Sequence, residues 1–137
     1  MPNVLSAEQY PDYFQIVTAA INHNLEAAST FVIPVMYVES RGNGSGIVID
    51  SIAIGINTVE GAAETVEVVH ATTVQATSGF TSVQTSTTSV NALGTTLPTI
   101  NTSNNFVPAG SWILLKFDAA QGAVHGAVTI RFRSRLA

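Results

Sequence analysis

Apolar and polar residues alternate along much of this chain with a period of two, and the last segment shows it most cleanly. From Val124 to Arg135, Val128, Ile130 and Phe132 fall on one face, and Thr129, Arg131, Arg133 and Arg135 on the other. Such alternation predicts a strand with one face on a core. The segment from Ser111 to Ala119 repeats it, with Ile113, Leu115 and Phe117 opposite Trp112, Leu114 and Lys116. A turn at Val107-Pro108-Ala109-Gly110 precedes that strand, and Gln121-Gly122 turns the chain after it.

The first half is more apolar. From Phe31 to Ser40, one face holds Phe31, Ile33, Val35 and Tyr37 and the other Val32, Met36 and Val38, so both faces need cover, from the N-terminal arm or another subunit. Pro34 has no N–H to give to a ladder, which predicts a bulge or a sheet edge there. Arg41 to Gly46 carries three glycines and suits a hairpin loop into a partner strand from Ile47 to Thr58. Strict alternation in that strand puts Val48, Ile52, Ile54 and Ile56 on one side and Ile47, Ile49, Ser51, Ala53 and Gly55 on the other. A turn at Glu60 to Ala63 leads to a third strand from Glu64 to Thr73, and the three are expected to form consecutive antiparallel neighbours.

Phe14 to Asn24 is a mixed pattern that we assign to a strand. Residues 1–13, with Pro2 and Pro11, form an N-terminal arm, and residues 14–137 one domain. Thr77 to Asn105 is rich in Ser, Thr and Asn, and its β-branched threonines predict short edge strands and long loops. The fold expected from these patterns is an all-β, single-domain antiparallel β-sandwich, jelly-roll-like, of about seven or eight strands.

Charge changes the picture further. Only 10% of the 137 residues are charged, against about 25% in an ordinary soluble domain. Lys116 is the single lysine, and no ionisable side chain occurs from Ala71 to Leu115. A folded β-protein whose surface is covered by neighbouring subunits accounts for this better than a disordered chain, given the abundant Val, Ile and Leu. The net charge of -4 offers no electrostatic footprint for nucleic acid. No apolar run reaches the ~20 residues of a membrane span, and no basic segment followed by an apolar stretch marks a secretory signal, so no membrane contact and synthesis without export are expected. With no cysteine there is neither a disulfide framework nor a thiolate metal site.

Candidate chemistry is sparse. His23, His70 and His125 lack metal-ligand spacing. Gly44-Ser45-Gly46 belongs to a loop between strands, not to a nucleophile elbow. Glu60, Glu64 and Glu67 cluster near a turn with no sign of a cleft. No activated nucleophile or acid–base pair stands out, so no enzyme, cofactor or metal is expected. The one distinctive charge pattern is the stripe Arg131, Arg133 and Arg135, which either docks on an acidic neighbour or protects a solvent-facing edge strand. Trp112, Tyr10, Tyr13 and Tyr37 are the aromatic candidates for stacking on a carbohydrate, the first three also for partner contact, and Trp112 likewise suits a core or subunit-interface position.

The run from Phe31-Val32-Ile33-Pro34 through Ile47-Val48-Ile49-Asp50-Ser51-Ile52 to Val107-Pro108-Ala109-Gly110-Ser111-Trp112-Ile113-Leu114-Leu115 resembles small β-sandwich virion proteins of tailed bacteriophages, among them capsid decoration (cement) and head-fibre proteins. That resemblance is one of texture and covers residues 30–135. It implies a homotrimer on the capsid surface of a virion, bound to the major capsid protein or other virion subunits and stabilising the head lattice. A fibre- or tail-associated module binding host-surface glycan, through loops such as Arg41–Gly46 and Thr77–Asn105, is the alternative.

Overall fold

The computed structural model describes residues 14–25, 31–39, 44–59, 65–74, 78–89, 93–118 and 122–136. The expected N-terminal arm lies outside them. The described residues contain ten strands and no helix: β1 (Gln15–Leu25), β2 (Phe31–Tyr37), β3 (Gly44–Val59), β4 (Thr65–Ala71), β5 (Thr81–Ser82), β6 (Thr88–Ser89), β7 (Gly94–Thr96), β8 (Phe106–Pro108), β9 (Trp112–Asp118) and β10 (Gly122–Leu136). They form two antiparallel sheets; of the turn expected at Val107 to Gly110, Val107 and Pro108 belong to β8 and Ala109 and Gly110 make the turn.

Sheet A runs β1-β10-β3-β7, with β8 on the same edge of β3 as β7; sheet B runs β2-β9-β4-β5, with β6 on the same edge of β4 as β5. Ten strands thus fill eight positions, four to a sheet, because each short edge position is split in two. The pairs β1:β10, β2:β9, β3:β7/β8 and β4:β5/β6 describe one long antiparallel ribbon. Rolling that ribbon drops alternate pairs into opposite sheets, and β10:β3 and β9:β4 close them. This is the jelly-roll arrangement. It corrects the expectation that β2, β3 and β4 are neighbours: β3 lies in the opposite sheet from β2 and β4, and β2 and β4 are separated by β9. β2 and β3 therefore do not pair as a hairpin, and residues 40–43 of the expected loop lie outside the described residues. A period of two fixes which face a residue takes, but not which strand lies beside it.

Between the sheets lies one main core. Ile49, Ile52, Ile54 and Ile56 of β3 meet Val66 and Val68 of β4, Ile113, Leu115 and Phe117 of β9, and Val124, Val128 and Ile130 of β10, all buried. Each such side chain contributes about 1.5–3 kcal/mol relative to exposure.

Bulges decide the faces. In β10:β3 the register steps past Asn57, Asp50 and Ser45 of β3. The step at Asp50 brings Ile47 and Ile49 to the same face as Ile52, Ile54 and Ile56 and leaves Val48 outside, correcting the simple alternation expected. In β2 the step between Pro34 and Met36 is the predicted bulge, and it turns Met36 and Val38 toward the main core with Ile33, away from Val32.

The outer face of sheet B is covered by its own chain. Val69, Ala71 and Leu114 are buried there beneath Val74 and Phe80, with Val32 and Trp112 beside them. Val74 and Phe80 thus supply part of that cover, while the arm expected to do so lies outside the described residues. The edge of the sheet is held by buried Gln84, whose Oε1 accepts from the Val68 N–H at 2.7 Å while Nε2 donates to the Ser86 carbonyl and Thr88 Oγ1. A side chain thus completes a ladder that strand residues do not.

Two outcomes follow for stability. A methyl group on Gly126 would sit 1.9 Å from the Gly55 carbonyl oxygen, whereas one on Gly55 meets nothing closer than 3.8 Å. In urea denaturation Gly126→Ala is expected to cost about 1–3 kcal/mol, and Gly55→Ala to be neutral or stabilising by about 0.5 kcal/mol. Gln84→Leu is expected to cost about 1–3 kcal/mol, because it strands the buried Val68 N–H.

Candidate functional site

β10 pairs with β3 along its length and with β1 only as far as Phe132, so Arg131 lies between two strands, whereas Arg133 and Arg135 lie past the described end of β1 on that side. Alternation places Arg131, Arg133 and Arg135 together on the outer face of sheet A, each against a different neighbour. The Arg131 guanidinium lies 4.1 Å from the centre of the Phe14 ring. Arg133 Nε is 3.4 Å from Asp50 Oδ1, and Asp50 reaches it because the bulge pushes that residue out of the core-facing row. Asp50 Oδ2 and Arg133 Nε are both buried without a well-formed hydrogen bond, so this ion pair is imperfectly satisfied. Arg135 stacks over Phe106 at 4.9 Å and has no carboxylate partner among the described residues.

Arg133, Val48 and Phe106 make one row across β10, β3 and β8. Over that row lies a cleft of about 530 Å³. Val48 is its floor, Arg133 and Arg135 line one side, and Phe106 with Thr102, Ser103 and Asn105 line the other. The loop wall is fixed by short contacts: Asn105 Nδ2 donates to the Ile49 carbonyl at 3.0 Å, the Ile49 N–H donates to the Asn105 carbonyl at 2.9 Å, and the Ser103 N–H donates to Asn101 Oδ1 at 3.1 Å. Gly46 borders this region at a φ of 149°, and a methyl group there would meet the Val107 carbonyl oxygen at 2.1 Å, so only glycine permits β8 to approach β3 so closely.

The remaining candidates lie elsewhere. Trp112 belongs to sheet B, half-buried beside Tyr37 with ring centres 5.1 Å apart and packed against the smaller apolar cluster, away from the arginine cleft. Tyr10 and Tyr13 lie outside the described residues. Lys116, on the Trp112 face, pairs with Glu67 at 3.3 Å and Asp118 at 3.6 Å. Among the described residues no group of three or more His, Asp or Glu is placed to hold a metal, and no helix is long and apolar enough to cross a membrane. Sequence reasoning missed the loop 102–106 as the partner of the arginines. Its only signal was that polar stretch itself, which does not say which strand it packs against.

His70 also emerges from the structure. Burial lowers its pKa from the ordinary 6.5, opposed by a hydrogen bond with the Asn104 backbone, and Nε2 is buried without a partner. A lowered pKa means that the unfolded chain takes up the proton first as pH falls. The stability held by neutral His70 is therefore complete above pH 6.5 and declines below it, toward the folded-state pKa. Urea denaturation of the wild type from pH 7.5 to about 5 is expected to show a steeper loss than His70→Gln, and equal slopes would refute the assignment.

No family model, curated protein or solved structure matches the chain.

Proposed function

We propose that this protein is a virion structural subunit, a jelly-roll decoration protein that seats on the assembled head lattice of a tailed phage and stabilises it. The observation that supports this reading is the contrast between the two outer faces. Sheet B is roofed by its own chain, whereas the outer face of sheet A has no such roof among the described residues. Its central rows, Thr18–Thr129–Ala53 and Ala20–Ala127–Gly55–Thr95, are small and uncharged, and Ile16 at their border is 65% exposed. A flat surface poor in charge loses little hydration when another subunit covers it. Binding only the assembled lattice stabilises it by mass action, about 2.7 kcal/mol per site at a hundredfold excess over Kd. A homotrimer, the arrangement implied by the phage resemblance, belongs to the same proposal.

Purified protein added to phage heads that lack it is expected to co-sediment with them and to raise their disruption temperature. Ala127→Glu, at the centre of the open face, is expected to abolish co-sedimentation with its melting temperature little changed. Light scattering is expected to give three times the 14.3 kDa chain mass across a dilution series. Failure of the wild type to bind heads would refute the role, and unimpaired binding by Ala127→Glu would refute the face.

A further inference from the structure

We propose that the cleft between β10 and β8 is a binding site for a saccharide carrying a single carboxylate, of the uronic or sialic acid class. The inference does not depend on the assembly role, which uses the middle of sheet A and not this end.

The volume, about 530 Å³, lies within the roughly 300–1,000 Å³ of small-molecule sites and suits one or two sugar rings. Charge sets the class of ligand. Arg133 is already matched by Asp50, so among the described residues the cleft offers one cation with no carboxylate partner, Arg135. One net positive charge fits a monocarboxylate and leaves a phosphate dianion half compensated. Stacking on Phe106 holds the Arg135 plane while leaving guanidinium N–H groups at its edge to meet a carboxylate in two-pronged fashion.

The other walls match a sugar. The hydroxyls of Thr102 and Ser103 both give and accept hydrogen bonds, and Asn105 Oδ1 accepts them, so this wall can meet ring hydroxyls. Val48 and Phe106 supply apolar surface for the C–H face of a ring. The loop is pinned to Ile49 before any ligand arrives, so little ordering cost is added on binding. An acidic peptide fits less well: it would bind by adding to a sheet edge, and here that edge of β3 is already taken by β8.

The test is an NMR titration of the full chain with sodium glucuronate and with N-acetylneuraminate at fixed ionic strength. Glucose, acetate, inorganic phosphate and a glutamate-rich peptide serve as comparison probes. One or both acidic sugars are expected to bind saturably with a Kd of about 1 mM, shifting the Asn105 side-chain amide and the Arg135 Nε–H. Arg135→Gln and Ser103→Asp, both at exposed positions, are expected to weaken binding about tenfold or more with unchanged circular dichroism, while Arg131→Gln leaves it intact. The proposal is overturned if neither acidic sugar saturates, or if Arg135→Gln binds as the wild type does. It is likewise overturned if acetate or phosphate binds as tightly, which identifies a plain anion site, or if the peptide binds more tightly, which identifies a protein-docking site.

Discussion

The pairing of β3 with β10 is the constraint on which the rest of the structure depends. β10 alternates without interruption, and a slip of one residue would carry Arg131, Arg133 and Arg135 into the core, at a cost of several kcal/mol for each unpaired charge. β3 has no such penalty over most of its length, because Ile47, Val48 and Ile49 are apolar on both faces. The irregularity is therefore absorbed by β3, at Asn57, Asp50 and Ser45. The bulge at Asp50 matters most: it keeps a carboxylate out of the core, delivers it to Arg133, lets both Ile49 and Ile52 point inward, and leaves Val48 outside as the floor of the cleft.

Sequence patterns revealed elements better than neighbours. β9 and β10 were legible to the face, because their polar and apolar residues differ sharply and no bulge lies within their own strands. Pro34 announced the β2 bulge through its missing N–H. The faces of β3 were not legible, since two-sided apolar patterning gives the same local energy before and after a bulge. Pairing was not legible either. Long strands that alternate between sheets look, along the chain, the same as a meander of hairpins, and the ribbon that separates the two possibilities is built from contacts far apart in sequence. The site shows the same division: β10 gave up its arginines, while the loop 102–106 that faces them could be found only once β8 was placed on β3.

With so few charges, their placement is informative. Lys116 is committed to Glu67 and Asp118 and also lies over the Phe80 ring at 5.6 Å, tying it to the roof of sheet B. Partly exposed pairs of this kind add about 0–1 kcal/mol and do not hold the fold together. Their effect is to leave the middle of the outer face of sheet A without charge, while Arg135 at its end keeps a cation that no carboxylate among the described residues neutralises. The two regions differ in what they can bind: the flat middle suits a broad subunit contact, and the cleft suits a small ligand with one negative charge.

The cleft owes its existence to an interrupted edge. β7 pairs with β3 at Ile54–Ile56 and β8 at Gly46–Val48, and no described strand pairs with the same edge between Ile49 and Ala53. A continuous partner there would have put residues 102–105 into the ladder, level with the sheet. Instead the chain leaves the edge after β7, is held by the bridge between Gln84 and Ile100 across the open side of the sandwich, and returns through Asn105, which caps Ile49 with both its backbone and its amide. That detour lifts Thr102 and Ser103 above the level of Val48 and so builds a wall facing the arginines. The interruption also shields the edge, since a strand broken into three-residue pieces offers a poor template for pairing with another chain. One feature of the backbone thus both discourages edge-to-edge association and shapes a pocket.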